Sequence, residues 1–350
     1  MARYFTHEES EFLKDCPNHK FVPTTLPAVK RIIAIGDVHG DFNLVVKSFK
    51  LAGLINDQFD WIANPPNTVV VQVGDQIDSC RPSIMNECQN IRHHNDKADD
   101  VKIIHFFDDI SKKASLVGGS VYSLLGNHEL MNSQNNFQYV SYENYHNFEY
   151  IDKNGTIYRG PLGRKNAFEP GGPLAREMAC NRVSVLIIGS TLFVHAGILP
   201  NLTNVDNLNI DNRKKLEYLN ALVRKWLLKN LSEKDFHNSL SFINDLNSPF
   251  WTRFYGMIPQ NLDINSGDCL AIVKKTLQVY KIGHIVVGHT PQMFSNNNGI
   301  NGTCYELKDN KLYRIDGGFS KAFDIFGKQR FIQILEILDD RIFNIIGETI

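Results

Sequence analysis

Short runs of apolar, mostly β-branched residues recur along the chain, separated by glycine, proline and polar segments. Runs of this length, bounded by turn-forming residues, predict buried β-strands. The predicted strands are 31–36, 68–73, 121–125, 183–189, 191–194, 285–289, 312–315, 331–335 and 342–346. Several of them end at a glycine or another small residue, and an Asp, Asn or His follows directly.

Between these strands lie segments with apolar residues at helical spacing. The predicted helices are 42–52, 81–120 with a polar loop near 93–100, 204–247 and 268–281. The segment from 131 to about 179 is rich in Asn, Gln and aromatic residues, which indicates an irregular or part-helical region over the strand ends. Residues 1–29 show no sustained period, so we expect an extended N-terminal arm.

The order of these elements predicts the fold class. Strands and helices alternate in the first half of the chain, whereas strands follow one another in the second half. We therefore expect an α/β fold in which two mixed β-sheets pack face to face as a β-sandwich flanked by helices. This fold would occupy one domain over residues 30–350, with insertions at about 131–180 and 201–267, after an N-terminal extension over residues 1–29.

Composition narrows the class of protein. The 350 residues are 43% hydrophobic with a formal charge of −1, which is typical of a globular protein and gives no sign of a nucleic acid or membrane partner. The first residues contain no apolar signal-peptide core. The six cysteines are scattered without a C-x-x-C pair, so we expect reduced thiols and a cytoplasmic protein.

The polar residues after the strands have the chemistry of metal ligands. They are Asp37, His39, Asp75, Asp78, Asn127, His128, His195 and His289. Carboxylate, amide and imidazole groups bind divalent first-row metals, and this set contains no cysteine thiolate to indicate a structural zinc site. One shared carboxylate with flanking ligands on both sides suits two metal ions, which together can activate water and bind a phosphoryl group.

Five motifs carry a resemblance to a known family. They are Gly36-Asp37-Val38-His39-Gly40, Gly74-Asp75-Gln76-Ile77-Asp78, Gly126-Asn127-His128-Glu129, Val194-His195-Ala196-Gly197 and Gly288-His289-Thr290. In this order they resemble the signatures of the calcineurin-like binuclear metallophosphatases. The similarity is greatest to the phosphoprotein-phosphatase branch, and within it to the Shewanella-like phosphatases, whose C-terminal signature resembles residues 313–318.

The resemblance implies a role for each residue. Asp37 and His39 would bind the first metal, Asp75 would bridge both, and the second metal would take Asn127, His195 and His289. His128, oriented by Asp78, would protonate the leaving group. The implied cofactors are two divalent ions, with manganese favoured by the family and iron or zinc also compatible. The implied reaction is hydrolysis of a phosphoprotein or phosphopeptide by direct attack of a metal-bridging hydroxide.

The second motif departs from the family. Its usual Asp-Arg-Gly is replaced by Asp78-Ser79-Cys80-Arg81, so the arginine that binds phosphate is missing from its place. Arg81 or Arg253 would have to supply the phosphate-binding cation. Two alternatives remain open: a hydrolase of dinucleoside polyphosphates or other nucleotides, and an inactive scaffold that keeps the fold.

Several further residues have simpler interpretations. We expect His284 to be structural, His93 and His94 to be solvated, and Glu129 to support the turn beside it. We expect Cys80 to be an inert thiol rather than a redox sensor. The aromatic segment 137–150 is equally compatible with a substrate lid and with ordinary packing.

Overall fold

Two six-stranded mixed sheets lie at the centre of the fold, as the order of apolar runs predicts. The computed structural model describes residues 6–84, 86–202, 210–295, 299–326 and 331–349. A separate two-stranded hairpin lies outside these sheets. The expected α/β fold class is therefore confirmed.

The strands are β1 Thr25–Leu26, β2 Arg31–Ile35, β3 Val69–Gln72, β4 Ser120–Leu124, β5 Glu149–Ile151, β6 Ile157–Arg159, β7 Arg182–Val183, β8 Val185–Ile188, β9 Thr191–Val194, β10 His284–Val287, β11 Asn301–Glu306, β12 Asp309–Arg314, β13 Phe331–Leu338 and β14 Ile342–Thr349. The helices are α1 His7–Asp15, α2 Phe42–Leu51, α3 Asp100–Ser115, α4 Asn127–Ser133, α5 Tyr142–His146, α6 Gly160–Phe168, α7 Pro173–Asn181, α8 Asn212–Leu227, α9 Glu233–Asn244, α10 Phe254–Met257, α11 Lys275–Tyr280 and α12 Gln292–Ser295. Short 3-10 segments cover Cys88–Asn90 and Lys321–Phe326, and a π-helical segment covers Cys269–Lys274.

The first sheet has the strand order β14-β13-β2-β3-β4-β7, and the second has the order β1-β8-β9-β10-β12-β11. Strands β5 and β6 form the separate hairpin.

Alternation along the strands of the second sheet divides the core into two layers. Leu186, Phe193 and Val286 pack in one cluster with the strands of the first sheet and with α2 and α3. Their neighbours Ile187 and Val194 belong to the other cluster, with α7 and α8. Successive side chains of a strand point to opposite faces of its sheet, and here both faces are covered by other apolar residues. The strands therefore have continuous apolar runs and not an alternation of apolar and polar residues.

The parallel strands direct their carboxyl ends to one rim. In the first sheet β2, β3 and β4 are parallel neighbours, and in the second sheet β9, β10 and β12 are parallel neighbours. The turns that follow these six strands carry the polar motifs. The fold thus brings together residues that are far apart in the sequence.

The N-terminal arm is helical where we expected an extended chain. Thr6 caps α1 by accepting a hydrogen bond from the Glu9 backbone N–H. Phe12 is buried, and α1 packs against α8. The sequence Thr6-x-x-Glu9 is the signature of a capping box, so the local signal was present. Helix α3 is also shorter than the predicted 81–120, because the residues before Asp100 form loops and one 3-10 turn.

The two segments that we predicted as insertions are largely helical. Helices α4 to α7 and the β5–β6 hairpin occupy most of 127–181, and α8 and α9 form the predicted helical region after residue 210. The beginning of that region, residues 203–209, lies outside the described residues. Within the described ranges, no helix combines the length and the apolar character needed to cross a bilayer.

The expectation of reduced thiols is wrong for all six cysteines, because the structure pairs them as disulfides. The bonds are Cys16–Cys180, Cys80–Cys88 and Cys269–Cys304. The first joins residues that are 164 positions apart, so the pairing depends on the fold and leaves no spacing pattern in the sequence. Cys80 is therefore neither an inert thiol nor a free redox sensor here. The cysteines give no support for a reducing compartment.

Candidate metal centre

The eight ligand-type side chains predicted from the motifs meet at one rim of the sandwich. Turns after β2, β3, β4, β9 and β10 carry them. All eight are buried, with at most 6% of each residue exposed. Three groups of carboxylate and imidazole atoms lie close enough to share a metal ion: His39–Asp75–His128, Asp75–His195–His289 and Asp37–His39–Asp316.

Asp75 lies at the centre of this cluster. Its Oδ2 is 3.4 Å from His195 Nε2 and 3.8 Å from both His39 Nε2 and His128 Nε2. Burial raises the pKa of Asp75, but His195, His128 and His39 outweigh burial and hold the pKa well below its usual range. Asp75 is therefore ionised. A charged carboxylate that belongs to two ligand groups has the position of a shared ligand.

Backbone carbonyls orient the rings of His195 and His289. His195 Nδ1 is 2.9 Å from the Val73 carbonyl, and His289 Nε2 is 3.0 Å from the Trp251 carbonyl. A carbonyl only accepts, so these nitrogens carry the hydrogen and the other nitrogen of each ring faces Asn127 Oδ1, at 2.9 Å in both cases.

This arrangement fits a cation. Burial, then His195 and Arg253, lower the pKa of His289 well below its usual range, so the ring is neutral. Its lone pair therefore meets the lone pairs of the Asn127 amide oxygen. Two acceptors this close repel each other, and a positive ion between them removes the repulsion. The donor set of nitrogen and oxygen atoms suits a divalent first-row metal.

The turns that hold these ligands have unusual backbone conformations. His39, Asp75, Asp78 and His289 all have φ between 40° and 74°. Left-handed conformations of non-glycine residues are uncommon and concentrate at functional sites. Gly126 allows a further close approach, because a Cβ there would lie 2.2 Å from Asp75 Oδ1.

A buried network orients His128. Its Nδ1 is 2.8 Å from Asp78 Oδ2, and the Asn132 amide donates to both oxygens of Asp78 at 3.0 Å. The fully buried Arg164 has its Nη2 3.4 Å from Asp78 Oδ1 and 2.9 Å from Asp100 Oδ2. The bond through Nδ1 leaves His128 Nε2 directed at the centre.

Asn132, Arg164 and Asp100 were not predicted as site residues. Asn132 lies four positions after His128 in α4, so helical spacing places the two on one face and offered a signal. Arg164 reaches Asp78 from the aromatic-rich insertion, 86 positions away, and no local pattern marks it.

The two candidate phosphate-binding arginines lie on different sides of the centre. Arg81 Nη1 donates to the carbonyls of Asp78 and Cys80, and its guanidinium lies 4.5 Å from the Phe323 ring centroid. After burial, Arg81 is the largest influence that lowers the pKa of His39. Arg253 is exposed. It also lowers the pKa of His289, although burial and His195 have larger effects on that pKa. Both cations are therefore close to ligand-type residues.

The residues with simpler interpretations behave as expected. Glu129 accepts hydrogen bonds from the backbone N–H groups of Gly126, Asp75 and Gln76, so it supports the turns. His284 Nε2 lies 2.8 Å from Asp309, outside the three ligand groups. His93 and His94 are exposed.

The aromatic segment 137–150 contacts both the centre and the hydrophobic core, and its role as a substrate lid stays a prediction. The Tyr139 ring lies 4.9 Å from the ring of His128, so this part of the segment covers the centre. Phe148 and Tyr150 are buried in the hydrophobic core instead.

Comparison with known proteins places this architecture in a family. The sequence profile of the calcineurin-like phosphoesterase family matches residues 30–293. An uncharacterized protein of Acanthamoeba polyphaga mimivirus is 62% identical over 245 residues, which are 69% of this chain and 97% of the relative. Shewanella-like protein phosphatase 2 of Arabidopsis thaliana is 27% identical over 345 residues, covering 89% of this chain and 77% of that protein.

A solved structure shares the fold. The cold-active protein-tyrosine phosphatase of a psychrophilic Shewanella species superposes with a TM-score of 0.61 over 93% of this chain and 83% of that one, at 19% identity. The resemblance inferred from the five motifs is thus confirmed by independent matches to sequence and fold. The chain belongs to the calcineurin-like phosphoesterase family, and its relatives include Shewanella-like protein phosphatases.

Proposed function

We propose that this protein is a metal-dependent phosphomonoester hydrolase that removes phosphate from phosphoproteins. The observation that carries the proposal is the set of buried imidazole, amide and carboxylate groups around the ionised Asp75. The names of the Arabidopsis relative and the Shewanella structure, both protein phosphatases, favour a phosphoprotein over a nucleotide as the substrate.

The residues divide between two ions. Asp37 and His39 would hold the first ion, and Asp75 would be shared by both. The second ion would be held by three further residues: Asn127, His195 and His289. When bound, the ions supply an activated water for in-line attack and neutralise phosphoryl charge. Manganese, iron and zinc all suit these ligands, and we favour manganese from the family.

His128 would act as the general acid. Its Nδ1 is bonded to Asp78, so Nε2 is the nitrogen that can give a proton to the leaving oxygen. Asp78 fixes the ring, and Asn132 and Arg164 hold Asp78 in place. Arg81 and Arg253 would bind the phosphoryl oxygens, because a cation near developing negative charge lowers its energy.

The boundaries of the catalytic unit are part of the proposal. Residues 30–350 would form a single catalytic domain, with residues 1–29 as an extension and with insertions at about 131–180 and 201–267. The family match over 30–293 supports the start of this unit.

Replacement of the shared carboxylate tests the function. Asp75→Asn should lower hydrolysis of phosphopeptides by at least about 1,000-fold, equivalent to about 4 kcal/mol of transition-state stabilisation. The exposed Asp57 provides a matched control, since Asp57→Asn should keep full activity. Activity that persists in purified Asp75→Asn, with an unchanged circular dichroism spectrum, would reject the proposal.

A substrate panel separates the alternatives. Phosphoserine, phosphothreonine and phosphotyrosine peptides should be hydrolysed faster than dinucleoside polyphosphates, measured as kcat/KM with added Mn²⁺. Faster hydrolysis of the dinucleotides would indicate a nucleotide hydrolase. Absence of turnover together with absence of bound metal, measured by elemental analysis, would indicate a scaffold.

A further inference from the structure

We propose that Asp316 is an additional ligand of the metal ion held by Asp37 and His39. The inference rests on the proposed function, because it extends the same metal centre. The family resemblance gave Asp316 no role, although the residue lies in the C-terminal signature. It would give the first ion three carboxylates and one imidazole.

Asp316 reaches the rim in the same way as the other ligand-type residues, on a turn that follows a parallel strand. Strand β12 runs parallel to β10, with Arg314 in register with Val287. The turn after β12 therefore emerges at the rim beside the turn that carries His289. One ligand atom from each of Asp37, His39 and Asp316 lies within 4.8 Å of the other two.

Hydrogen bonding leaves one oxygen of each carboxylate available. Asp316 Oδ1 accepts from the Gly318 backbone N–H at 3.0 Å, and Asp37 Oδ2 accepts from the His289 backbone N–H at 2.9 Å. Within the described part of the chain, Asp316 Oδ2 and Asp37 Oδ1 are buried and have no hydrogen-bond partner. Buried polar atoms without a partner are rare, so the unpartnered Asp316 Oδ2 favours a cation at this position.

The nearby cation Arg81 does not donate to the unpartnered Asp316 Oδ2. Its Nη1 donates instead to the carbonyls of Asp78 and Cys80. Burial raises the pKa of Asp316 to about 6, and Arg81 opposes this shift less than the Gly318 hydrogen bond does. Asp316 is only 2% exposed, so water gives little compensation for its charge. Two buried carboxylates that face each other are stable together when a divalent ion lies between them.

The extra carboxylate makes the two metal positions different. The first would be rich in carboxylate oxygen, whereas the second has two imidazoles and an amide. Oxygen ligands favour Mn²⁺, and imidazole also suits zinc and iron. The position that contains Asp316 would therefore favour Mn²⁺ more strongly than the second position does.

A titration measures the contribution of Asp316 to affinity. The chelator-stripped full chain is titrated with MnCl₂ by calorimetry, and bound metal is counted by elemental analysis after dialysis. In Asp316→Asn, one of two sites should weaken by at least about tenfold, since even groups outside the ligand sphere change metal affinity by about 10- to 100-fold. Asp309→Asn is the matched control, because it removes a carboxylate from the other end of β12.

A spectroscopic test separates direct ligation from a charge effect. All six native cysteines lie within the described residues and are in disulfides, so the chain has no free thiol to interfere. Asp316→Cys loaded with Co²⁺ should show a thiolate-to-cobalt charge-transfer band in the near ultraviolet. Asp263→Cys, at an exposed carboxylate outside the three ligand groups, should not.

The outcomes distinguish this inference from the proposed function. If wild-type protein binds two ions and hydrolyses phosphopeptides, but Asp316→Asn binds both ions unchanged, the inference is wrong and the function stands. Cobalt binding to Asp316→Cys without the band also overturns it. If wild-type protein binds no metal, the function itself is wrong. Unchanged thermal unfolding of metal-free Asp316→Asn establishes that the variant is folded.

Discussion

The proton donor of the proposed reaction depends on residues that do not face the centre. Asp78 receives hydrogen bonds from Asn132 and an ion pair from Arg164, and all three are buried. Removing one member of such a network leaves a buried charge without its partner, which is strongly unfavourable. The position of His128 is therefore set by contacts from α4 and from the insertion around α6.

Replacement of His128 should have an effect that depends on the leaving group. His128→Asn removes the proton donor, so hydrolysis of an alkyl phosphate should fall about 100-fold or more. Hydrolysis of p-nitrophenyl phosphate should fall much less, because nitrophenolate departs without protonation. The measurement is kcat on both substrates, with His284→Asn as a control at a histidine outside the centre. Equal losses on the two substrates would argue against the acid role.

At the residue scale, the sequence predicted the side chains that cluster at the centre better than the residues that support them. The eight ligand-type residues follow apolar runs, so a local pattern marks each of them. Asp316 follows the same pattern after 312–315, and applying the rule to that strand would have identified it. Arg164 and the disulfide partners depend on long-range contacts, which no single stretch of sequence records.

At the scale of elements, the turns after the strands combine close packing with uncommon backbone conformations. Gly126 and Gly288 lie so near Asp75 and Asp37 that a Cβ would come within 2.2 Å and 2.1 Å of a carboxylate oxygen. Each glycine therefore allows its turn to approach the carboxylate on a neighbouring turn closely. The ligand geometry is determined by turn-to-turn contacts as well as by the ligands themselves.

Addition of one methyl group at such a contact should damage the centre. Gly126→Ala should displace Asp75, so we expect both bound metal and phosphatase activity to fall by at least about tenfold. Gly53→Ala is a useful control: its φ is +64°, but no atom lies within 4 Å of the new Cβ. That variant should lose about 1 kcal/mol of stability and keep its metal. Wild-type metal affinity in Gly126→Ala would contradict the expectation.

Strands were predicted more accurately than the elements between them. Buried strands have apolar runs whose ends are marked by glycine, so their positions agree with the structure to within a few residues. Helix α1 was not predicted, because Pro17, Pro23 and Pro27 and the lack of a sustained period favoured an extended chain over the capping signal at Thr6. The region before α3 has the composition of a helix but folds as loops joined by the Cys80–Cys88 bond.

At the scale of the whole molecule, a disulfide ties the N-terminal helix to the rest of the fold. Cys16 follows α1 and bonds to Cys180 in α7, and it is buried in the same cluster as residues of α8. A bond between residues so far apart restricts the unfolded chain more strongly than a bond across a short loop.

The stability effects of two disulfides should differ accordingly. Replacing both Cys16 and Cys180 by Ala should lower the free energy of unfolding by about 5 kcal/mol on the chain-entropy estimate for a long loop. The same change at Cys80 and Cys88, which are 8 positions apart, should cost about 2.5 kcal/mol. Denaturant titration of both variants measures the difference. A larger loss for the short loop would show that strain or packing, and not chain entropy, dominates.

The distribution of the ligands over both sheets has a consequence for biosynthesis. Asp37 and His289 contact each other through the backbone N–H of His289, yet they are 252 positions apart in the chain. A ribosome therefore completes most of the sequence before the second proposed metal position can exist. Loading of that position could begin only late in translation, and a nascent chain carries its first motif for most of synthesis without the partners that complete it.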